Sequence, residues 1–221
     1  MILALFDLDH TLLSGDSDAL WCEFLMDERH LDRALFEARN REVANRYRDG
    51  AIGTAEFCAF YVATLAGRSA QEWQPLRQRF LREVVAPRIP AAAQGLVERH
   101  RALGHRLVLT TATNRFITEL TAAHLGIADL IATEVQTVDG RFSGRTDGTP
   151  NMREGKVERL RAWLRGEGLA ASLLAEAHFY SDSINDLPLL REVAHPVAVD
   201  PDPRLRAHAQ AAGWPVIELA R

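Results

Sequence analysis

The chain has 221 residues, of which 47% are hydrophobic and 25% charged, an ordinary composition for a soluble globular protein. This length is sufficient for one sizeable domain, or for a core domain with a smaller second unit. The formal net charge is −4 with basic and acidic residues interspersed, so no nucleic-acid-binding surface is indicated. The opening apolar run is too short for a signal peptide or a membrane span. Cys22 and Cys58 are too far apart in the sequence to form a close-spaced pair of metal ligands. We expect both to be buried thiols in a reducing compartment, and therefore a cytoplasmic protein.

The first predicted strand is followed by two closely spaced carboxylates. Residues 2–6 are all apolar, which predicts a strand buried on both faces, as in the centre of a parallel sheet. Asp7 and Asp9 follow it, and Thr11 comes two positions later. Because residues two apart in an extended chain point the same way, these carboxylates would repel by roughly 4 kcal/mol at a separation of about 4 Å. A bound cation or a shared proton would relieve the repulsion, whereas the alternative is an Asp-rich turn or helix cap.

Residues 14–90 are predicted to form an all-helical insertion of about 75 residues after this strand. Their apolar residues recur at helical spacing and show no alternating strand pattern. Ser69 with Glu72 predicts a capping box at the start of one of these helices. We therefore divide the chain into a core of residues 1–13 and 91–221 and a helical cap of residues 14–90.

From residue 91 onward, predicted helices and strands alternate, which indicates a parallel sheet covered on both faces. The later predicted strands are residues 105–111, 130–133, 177–181, 196–199 and 216–217, with a hairpin turn at Asp139-Gly140. The predicted helices are residues 114–125, 154–165, 186–193 and 203–212. The expected fold class is therefore α/β, with a doubly wound parallel-sheet, Rossmann-like core that carries the helical cap.

Three further polar groups follow predicted strands or begin predicted helices. Thr111 ends the second core strand, where a hydroxyl and the free backbone N–H groups that follow would suit an anion. Lys156 lies at the start of a predicted helix, and Asp182–Asp186 places two carboxylates four residues apart between a strand and a helix. Taken singly, Thr111 would more often be a helix N-cap and Lys156 a solvated surface charge. The two aspartates could also cap helices, but a buried strand that ends in Asp-Ser-x-Asn-Asp is unusual for that purpose.

Taken together, these groups resemble the four motifs of the haloacid dehalogenase-like phosphohydrolases. Asp7-Leu8-Asp9-His10-Thr11, Thr111, Lys156 and Asp182–Asp186 occur in the family's order, and each acidic or hydroxyl element follows a predicted strand. That edge is where a doubly wound sheet binds its ligands. The helical insertion resembles the type I cap of the phosphoserine phosphatase-like branch of the family.

The resemblance implies that the site binds Mg²⁺ and hydrolyses a small phosphomonoester. Mg²⁺ is commonly held by a few carboxylate oxygens together with substrate phosphate and water. By resemblance, its ligands would be Asp7, the backbone carbonyl of Asp9 and Asp182. Asn185 and Asp186 would support these ligands from just outside.

The resemblance also implies the catalytic roles. Asp7 would attack phosphorus and carry an aspartyl-phosphate intermediate. Asp9 would protonate the leaving alcohol and then deprotonate the attacking water, which requires a raised pKa. Thr111 and Lys156 would neutralise the phosphoryl oxygens as charge develops. The cap would close over the site and exclude water.

The expected substrate is a small metabolite, since a helical cap over the strand ends leaves little room. Phosphoserine phosphatases carry an acidic residue nine positions after the nucleophile, matched here by Asp16, and a cap arginine for the substrate carboxylate, at whose position this chain has Tyr61. The stretches that carry a further resemblance are residues 6–25, 111–118, 153–160, 180–190 and 195–200. They look like those of bacterial histidinol-phosphate phosphatases of this branch. We therefore expect L-histidinol phosphate, which has no carboxylate and whose ammonium would contact Asp16 or nearby Asp18. The expected substrate-binding residues are Asp16, Tyr61, Thr111, Ala112 and Lys156.

Two alternatives stay open at this point. Phosphoserine phosphatase or another small-metabolite phosphatase would use the same motifs. A phospho-accepting signalling module of the receiver type also uses a strand-end Asp, a Thr or Ser, a Lys and Mg²⁺. Asp9 and the helical cap argue against a receiver, because a receiver needs neither. The sequence leaves the oligomeric state open.

Overall fold

The computed structural model describes residues 1–219, and within them the strands form one seven-stranded sheet in the order β4-β3-β2-β1-β5-β6-β7. Neighbouring strands pair in parallel except β3 and β4, which form an antiparallel hairpin. In chain order the strands are β1 (Leu3–Phe6), β2 (Arg106–Asn114), β3 (Asp129–Val138), β4 (Arg141–Asp147), β5 (His178–Ser181), β6 (His195–Val199) and β7 (Val216–Ile217). Strand order reverses at β1, which confirms the predicted doubly wound α/β fold.

Between β1 and β2 the chain is helical. The α-helices there are α1 (Ser17–Asp27), α2 (Arg33–Arg48), α3 (Thr54–Val62), α4 (Ala70–Phe80) and, directly before β2, α5 (Ala91–Ala102). Short 3-10 or π turns follow α3 and α4. The predicted capping box is present, because Ser69 and Glu72 each accept a hydrogen bond from the other's backbone N–H.

The later helices cover the sheet between its strands. They are α6 (Arg115–His124), α7 (Glu154–Gly166), α8 (Leu187–Leu190) and α9 (Pro203–Ala212). Within residues 1–219 we find no helix that is both long and apolar enough to cross a membrane.

The central strand β1 is buried on both faces, as its run of apolar residues predicts. Ala4 and Phe6 join one hydrophobic cluster, and Leu3 and Leu5 join a second cluster on the other face. The first cluster also contains aromatic residues of α1 and α4, including Trp21, whose ring contacts those of Phe24, Trp73 and Phe80. Part of the helical insertion therefore shares its core with the sheet, and the division at residues 14 and 90 stays a prediction.

Two strands run further than predicted. The sequence predicts that β2 ends at Thr111, but the strand continues to Asn114, with a register irregularity against β3 between these two residues. The predicted third strand continues into the β3–β4 hairpin, whose turn residues Asp139 and Gly140 both have positive φ. Alternation of apolar and polar residues does not reveal a bulge, because the bulge depends on the partner strand.

The start of α7 is a tight turn that only glycine fits. A Cβ atom on Gly155 would lie 2.1 Å from the carbonyl oxygen of Pro150, while the Gly155 N–H donates to the carbonyl of Met152 at 3.0 Å. Arg153, just before the helix, has a φ of 52°. This compact turn sets the position of the next residue, Lys156.

We predict that Gly155→Ala lowers the free energy of unfolding by about 1–3 kcal/mol, because the added methyl group must displace backbone. Gly166→Ala in the same helix is the matched control, since a Cβ atom there meets nothing within 4 Å. The control is expected to gain about 0.5–1 kcal/mol through helix propensity. Urea unfolding of both variants measures the difference, and equal stabilities would contradict the close approach.

Candidate active site

The acidic motifs meet at the carboxyl edge of the sheet. Asp7 directly follows β1 and Asp182 directly follows β5, and these two strands are neighbours. They open onto a cavity of about 160 Å³ between the sheet and the helical insertion. The cavity is lined by Asp7, Asp9, His10, Asp16, Asp18, Phe57, Cys58, Tyr61, Ala112, Thr113, Met152, Lys156, Asp182, Ser183, Asn185 and Asp186.

Lys156 joins two of the buried carboxylates. Its Nζ lies 2.6 Å from Asp7 Oδ1 and 2.7 Å from Asp186 Oδ2, and its side chain is 2% exposed. Burial alone would lower the pKa of Lys156, but Asp186 and Asp7 outweigh burial and raise it. Lys156 is therefore a fixed positive charge in the wall of the cavity. Ser181 Oγ also donates to Asp186 Oδ2, at 2.7 Å.

Thr11 connects the first and last acidic motifs. Its hydroxyl lies 3.3 Å from Asp7 Oδ2 and 3.2 Å from Asp182 Oδ1, and it accepts a hydrogen bond from the Asp182 N–H at 3.0 Å. Burial, followed by repulsion from Asp7 and Asp186, raises the pKa of Asp182 to about 8. Burial raises the pKa of Asp7 to about 6, although Lys156 acts in the opposite direction. Both carboxylates thus lie where their negative charge is poorly compensated.

Asp9 lies in a different environment from Asp7. Its Oδ1 accepts from the backbone N–H of Ser17 at 2.8 Å, and its Oδ2 accepts from the hydroxyl of Thr113 at 2.9 Å. Burial and the nearby charges of Asp16 and Asp7 raise the pKa of Asp9 to about 7. The structure therefore gives this carboxyl the raised pKa that an acid–base group needs.

The structure places Thr111 behind the cavity rather than on its wall. Thr111 is fully buried, and its Oγ1 accepts from the backbone N–H of Thr113 at 3.2 Å. Ala112 and Thr113 line the cavity instead, because β2 continues past Thr111. Thr113 was missed by the sequence analysis, although in an extended chain it shares a side of the strand with Thr111.

Asn151 is a second residue that the sequence analysis missed. Its Nδ2 lies within hydrogen-bond distance of Thr110 Oγ1 and of the carbonyls of Thr111 and Ile131, at 2.9–3.0 Å. It thereby ties the turn before α7 to the ends of β2 and β3. No local pattern marks a buried asparagine between strands as a support for a site.

The residues predicted to contact substrate or support the metal have different local roles. Asp16 is exposed and caps α1, accepting from the Ala19 N–H at 2.9 Å. Tyr61 is buried against the cavity and donates its hydroxyl hydrogen to Asn40 at 2.9 Å. Asn185 accepts a hydrogen bond from Arg153 Nε at 3.2 Å through Oδ1, its single side-chain oxygen.

Asp18 faces the cavity beside these residues. It lies 3.4 Å from Asn114 Nδ2, and burial, followed by repulsion from Asp16 and Asp9, raises its pKa well above the usual value. From the sequence, Asp18 is expected only as a neighbour of Asp16 that could contact the substrate ammonium in its place. In the structure it is the more buried of the two.

The carboxylates at the strand ends fit a hard divalent cation. Asp7, Asp9 and Asp182 all have raised pKa values, and among the described residues that line the cavity Lys156 is the only lysine. Oxygen donors crowded in this way are the set that Mg²⁺ prefers. A cation at this position would offset the burial and the mutual repulsion that raise those pKa values.

Comparison with known proteins places the chain in a family. The profile of the haloacid dehalogenase-like hydrolases matches residues 4–191. A histidinol-phosphatase of Neisseria meningitidis serogroup C (strain 8013) is 39% identical over 98% of both chains. The phosphoserine phosphatase SerB1 of Mycobacterium tuberculosis (strain ATCC 25618 / H37Rv) is 31% identical over 96% of this chain and 69% of its own.

Solved structures share the fold. A protein of unknown function from Bordetella pertussis Tohama I is 45% identical, covers 97% of both chains and superposes with a TM-score of 0.92. A substrate-bound phosphoserine phosphatase superposes with a TM-score of 0.68 over 98% of this chain and 92% of its own, and its 16% identity shows the shared fold alone. These similarities remove the receiver alternative. The chain therefore belongs to the haloacid dehalogenase-like hydrolases and is one of the phosphatases of that family.

Proposed function

We propose that Asp7 is the nucleophile of this phosphatase. Its carboxylate is buried at the cavity wall, and the Lys156 ammonium at 2.6 Å holds one oxygen in place. The second oxygen lies 3.3 Å from the Thr11 hydroxyl. Attack by this oxygen on phosphorus would form an aspartyl phosphate and release the alcohol. The fixed position of Asp7 between Lys156 and Thr11 is the observation that carries the proposal.

Asp9 is the proposed acid and base of the two steps. It contacts no cation among the described residues, and its hydrogen bonds come from Ser17 and Thr113. With a pKa near 7 it can hold a proton for the leaving oxygen and later accept one from water. Protonated Asp9 and ionised Asp7 coexist more readily than two neighbouring anions.

The positive charge needed by a phosphate dianion has two proposed sources. Lys156 supplies one fixed charge to the phosphoryl oxygens. Phosphatases of this family generally use Mg²⁺, and we propose that Asp7, the Asp9 carbonyl and Asp182 hold it. When bound, it would neutralise the carboxylates and the phosphate together. Asp186 keeps Lys156 in place, and Asn185 lies beside this set.

The proposed substrate is L-histidinol phosphate. The cavity is lined by two acidic residues beyond the catalytic set, Asp16 and Asp18, and by the aromatic rings of Phe57 and Tyr61. No arginine is among the described residues that line it, which favours a substrate without a carboxylate. An ammonium group and an imidazole ring suit this lining. The 39% identity with a protein named histidinol-phosphatase supports the same choice.

A cytoplasmic location also remains our proposal. Cys22 and Cys58 are both free and buried, as is common in a reducing compartment. A small phosphorylated metabolite is a substrate that such a compartment contains.

We predict that Asp7→Asn lowers kcat by at least about 10³-fold, because loss of a covalent nucleophile removes the first step. The Tm should be equal or higher, since the amide keeps the shape and removes a charge whose burial is unfavourable, while Lys156 keeps its second partner Asp186. Phosphate release from p-nitrophenyl phosphate measures activity. Asp27→Asn, an exposed carboxylate at the end of α1, is the control and should be fully active. Activity above a few per cent in Asp7→Asn would remove the residue from this role.

We predict that Mg²⁺ raises the Tm far more at pH 8 than at pH 5. In the metal-free protein Asp7, Asp9 and Asp182 have pKa values of about 6, 7 and 8, above the value of about 3.9 expected in the unfolded chain. A group whose pKa is raised in the folded state stabilises the fold at pH values below its pKa in the unfolded chain. That contribution is lost as the pH rises through its pKa in the folded state. The free energy of unfolding of the metal-free protein should therefore fall as the pH rises from about 4 to 8. Over the same range the carboxylates become ionised and can bind Mg²⁺.

Thermal unfolding with Mg²⁺ and with EDTA at the two pH values tests this prediction. Asp182→Asn is the matched variant, and it should lose most of the Mg²⁺ increment at pH 8 because one ligand is gone. An increment that is the same at both pH values, or unchanged in the variant, would place the cation elsewhere.

We predict that kcat/KM for L-histidinol phosphate is well above kcat/KM for O-phosphoserine. Asp16→Asn should lower it by roughly 10- to 100-fold for L-histidinol phosphate and much less for p-nitrophenyl phosphate, since a hydrogen bond to a charged group is lost. Asparagine caps a helix as well as aspartate does, so the start of α1 is preserved. Asp18→Asn should act in the same direction.

The matched control is Asp32→Asn, which changes the equivalent cap of α2 outside the cavity and should have no effect. A panel of amino-alcohol, amino-acid and sugar phosphates ranks the substrates. Equal or better kcat/KM on O-phosphoserine would overturn the substrate proposal and favour a phosphoserine phosphatase. The proposed roles of Asp7 and Asp9 would be unaffected by that result.

A further inference from the structure

Histidines gather at the amino edge of the sheet, opposite the catalytic cavity. His100 lies in the last turn of α5, His105 in the turn before β2 and His178 at the start of β5. The parallel register sets His178 beside Ala4 and places the start of β2 beside Leu3. We call His100, His105 and His178 the histidine cluster.

The ring nitrogens of the histidine cluster converge. One ring nitrogen of each histidine lies within 4.8 Å of the other two. The Nδ1 atoms of His100 and His105 are 2.8 Å apart, so one of them donates a hydrogen to the other. The remaining nitrogen of His100, Nε2, lies 2.8 Å from the hydroxyl oxygen of Tyr180.

The surroundings of His100 and His178 favour the neutral form of both rings. Burial, followed by the neighbouring rings of His178 and His105 and the charge of Arg99, lowers the pKa of His100 to about 4. Burial, followed by His195 and His105, lowers the pKa of His178 as well. Neutral imidazole has the free nitrogen lone pair that binds a metal, whereas the protonated ring does not.

We propose that the histidine cluster is a binding site for a divalent transition metal ion such as Zn²⁺, with one ring nitrogen from each histidine as ligand. Zinc–nitrogen bonds are about 2.0–2.1 Å long, so two nitrogens of a tetrahedral site are roughly 3.3 Å apart. The 2.8 Å pair of Nδ1 atoms is close to that spacing, and Zn²⁺ would take the place of the shared hydrogen. His105 and His178 are half-exposed, which leaves access for the ion and for a water as fourth ligand.

Tyr180 completes the arrangement. A histidine that binds a metal through one nitrogen usually donates its other N–H to an acceptor, which fixes the orientation of the ring. His100 has this partner in the Tyr180 hydroxyl oxygen. The Tyr180 ring is itself fixed by stacking on Phe6, with ring centroids 5.3 Å apart.

The histidine cluster and the catalytic cavity would select different metals. Imidazole nitrogen suits Zn²⁺, Cu²⁺ and Ni²⁺, whereas the carboxylates at the opposite edge suit Mg²⁺. A metal ion bound by the cluster would connect α5, the turn before β2 and β5. It would thus stabilise the amino edge of the sheet without entering the reaction.

Zinc titration of the full chain by calorimetry, in the presence of excess Mg²⁺ to fill the carboxylate site, tests the proposal. We expect one Zn²⁺ per chain. His105→Gln and His178→Gln should each weaken binding by about 100-fold or more, since even loss of an outer partner costs 10- to 100-fold. Tyr180→Phe keeps the stacked ring, and we expect binding about 10- to 100-fold weaker. His124→Gln, an exposed histidine at the end of α6, is the control and should bind as the native chain does.

Co²⁺ provides a second readout that does not depend on activity. Four-coordinate Co²⁺ with nitrogen ligands absorbs visible light much more strongly than six-coordinate Co²⁺ with oxygen ligands, so the spectrum distinguishes this cluster from the carboxylate site. Circular dichroism establishes that each variant is folded. Absence of Zn²⁺ uptake by the native chain, or uptake that survives either His105→Gln or His178→Gln, would overturn the three-histidine site.

Discussion

The buried ammonium of Lys156 is the charge on which the catalytic end of the molecule depends. It contacts Asp7 at the end of β1 and Asp186 after β5, at 2.6 and 2.7 Å, and all three side chains are buried. Breaking a buried ion pair by removing one partner typically costs about 3–5 kcal/mol, because the other charge is left uncompensated. The tight turn at Gly155 therefore has a function, since it brings this lysine to the strand ends.

One lysine does not compensate all the negative charge at this edge. Asp7, Asp9 and Asp182 keep raised pKa values, which shows that the fold holds them together against their mutual repulsion and their loss of water. The two clusters of apolar side chains on either face of β1 supply the opposing stability. Carboxylates held together in this way suit the cation and the phosphate that we propose for this site.

The two edges of the sheet differ in chemistry. Oxygen donors collect at the carboxyl edge, and imidazole nitrogens collect at the amino edge. Strand β5 contributes to both, because His178 begins it and Asp182 directly follows it. The parallel register aligns these positions with β1 and β2. Carboxylates that are far apart in the sequence therefore meet at one edge, and imidazole rings meet at the other.

The sequence by itself determined the parallel sheet, the helical insertion and the acidic motifs, because those features depend on local patterns of apolar and polar residues. Only the tertiary structure decided which side chains reach the cavity. Thr113 lines it in place of Thr111, since the bulge in β2 depends on pairing with β3. The sequence also does not predict the histidine cluster, because His100 and His178 come together only when strands from distant segments of the chain pair. Contacts of this kind are set by packing, which no local pattern of residues encodes.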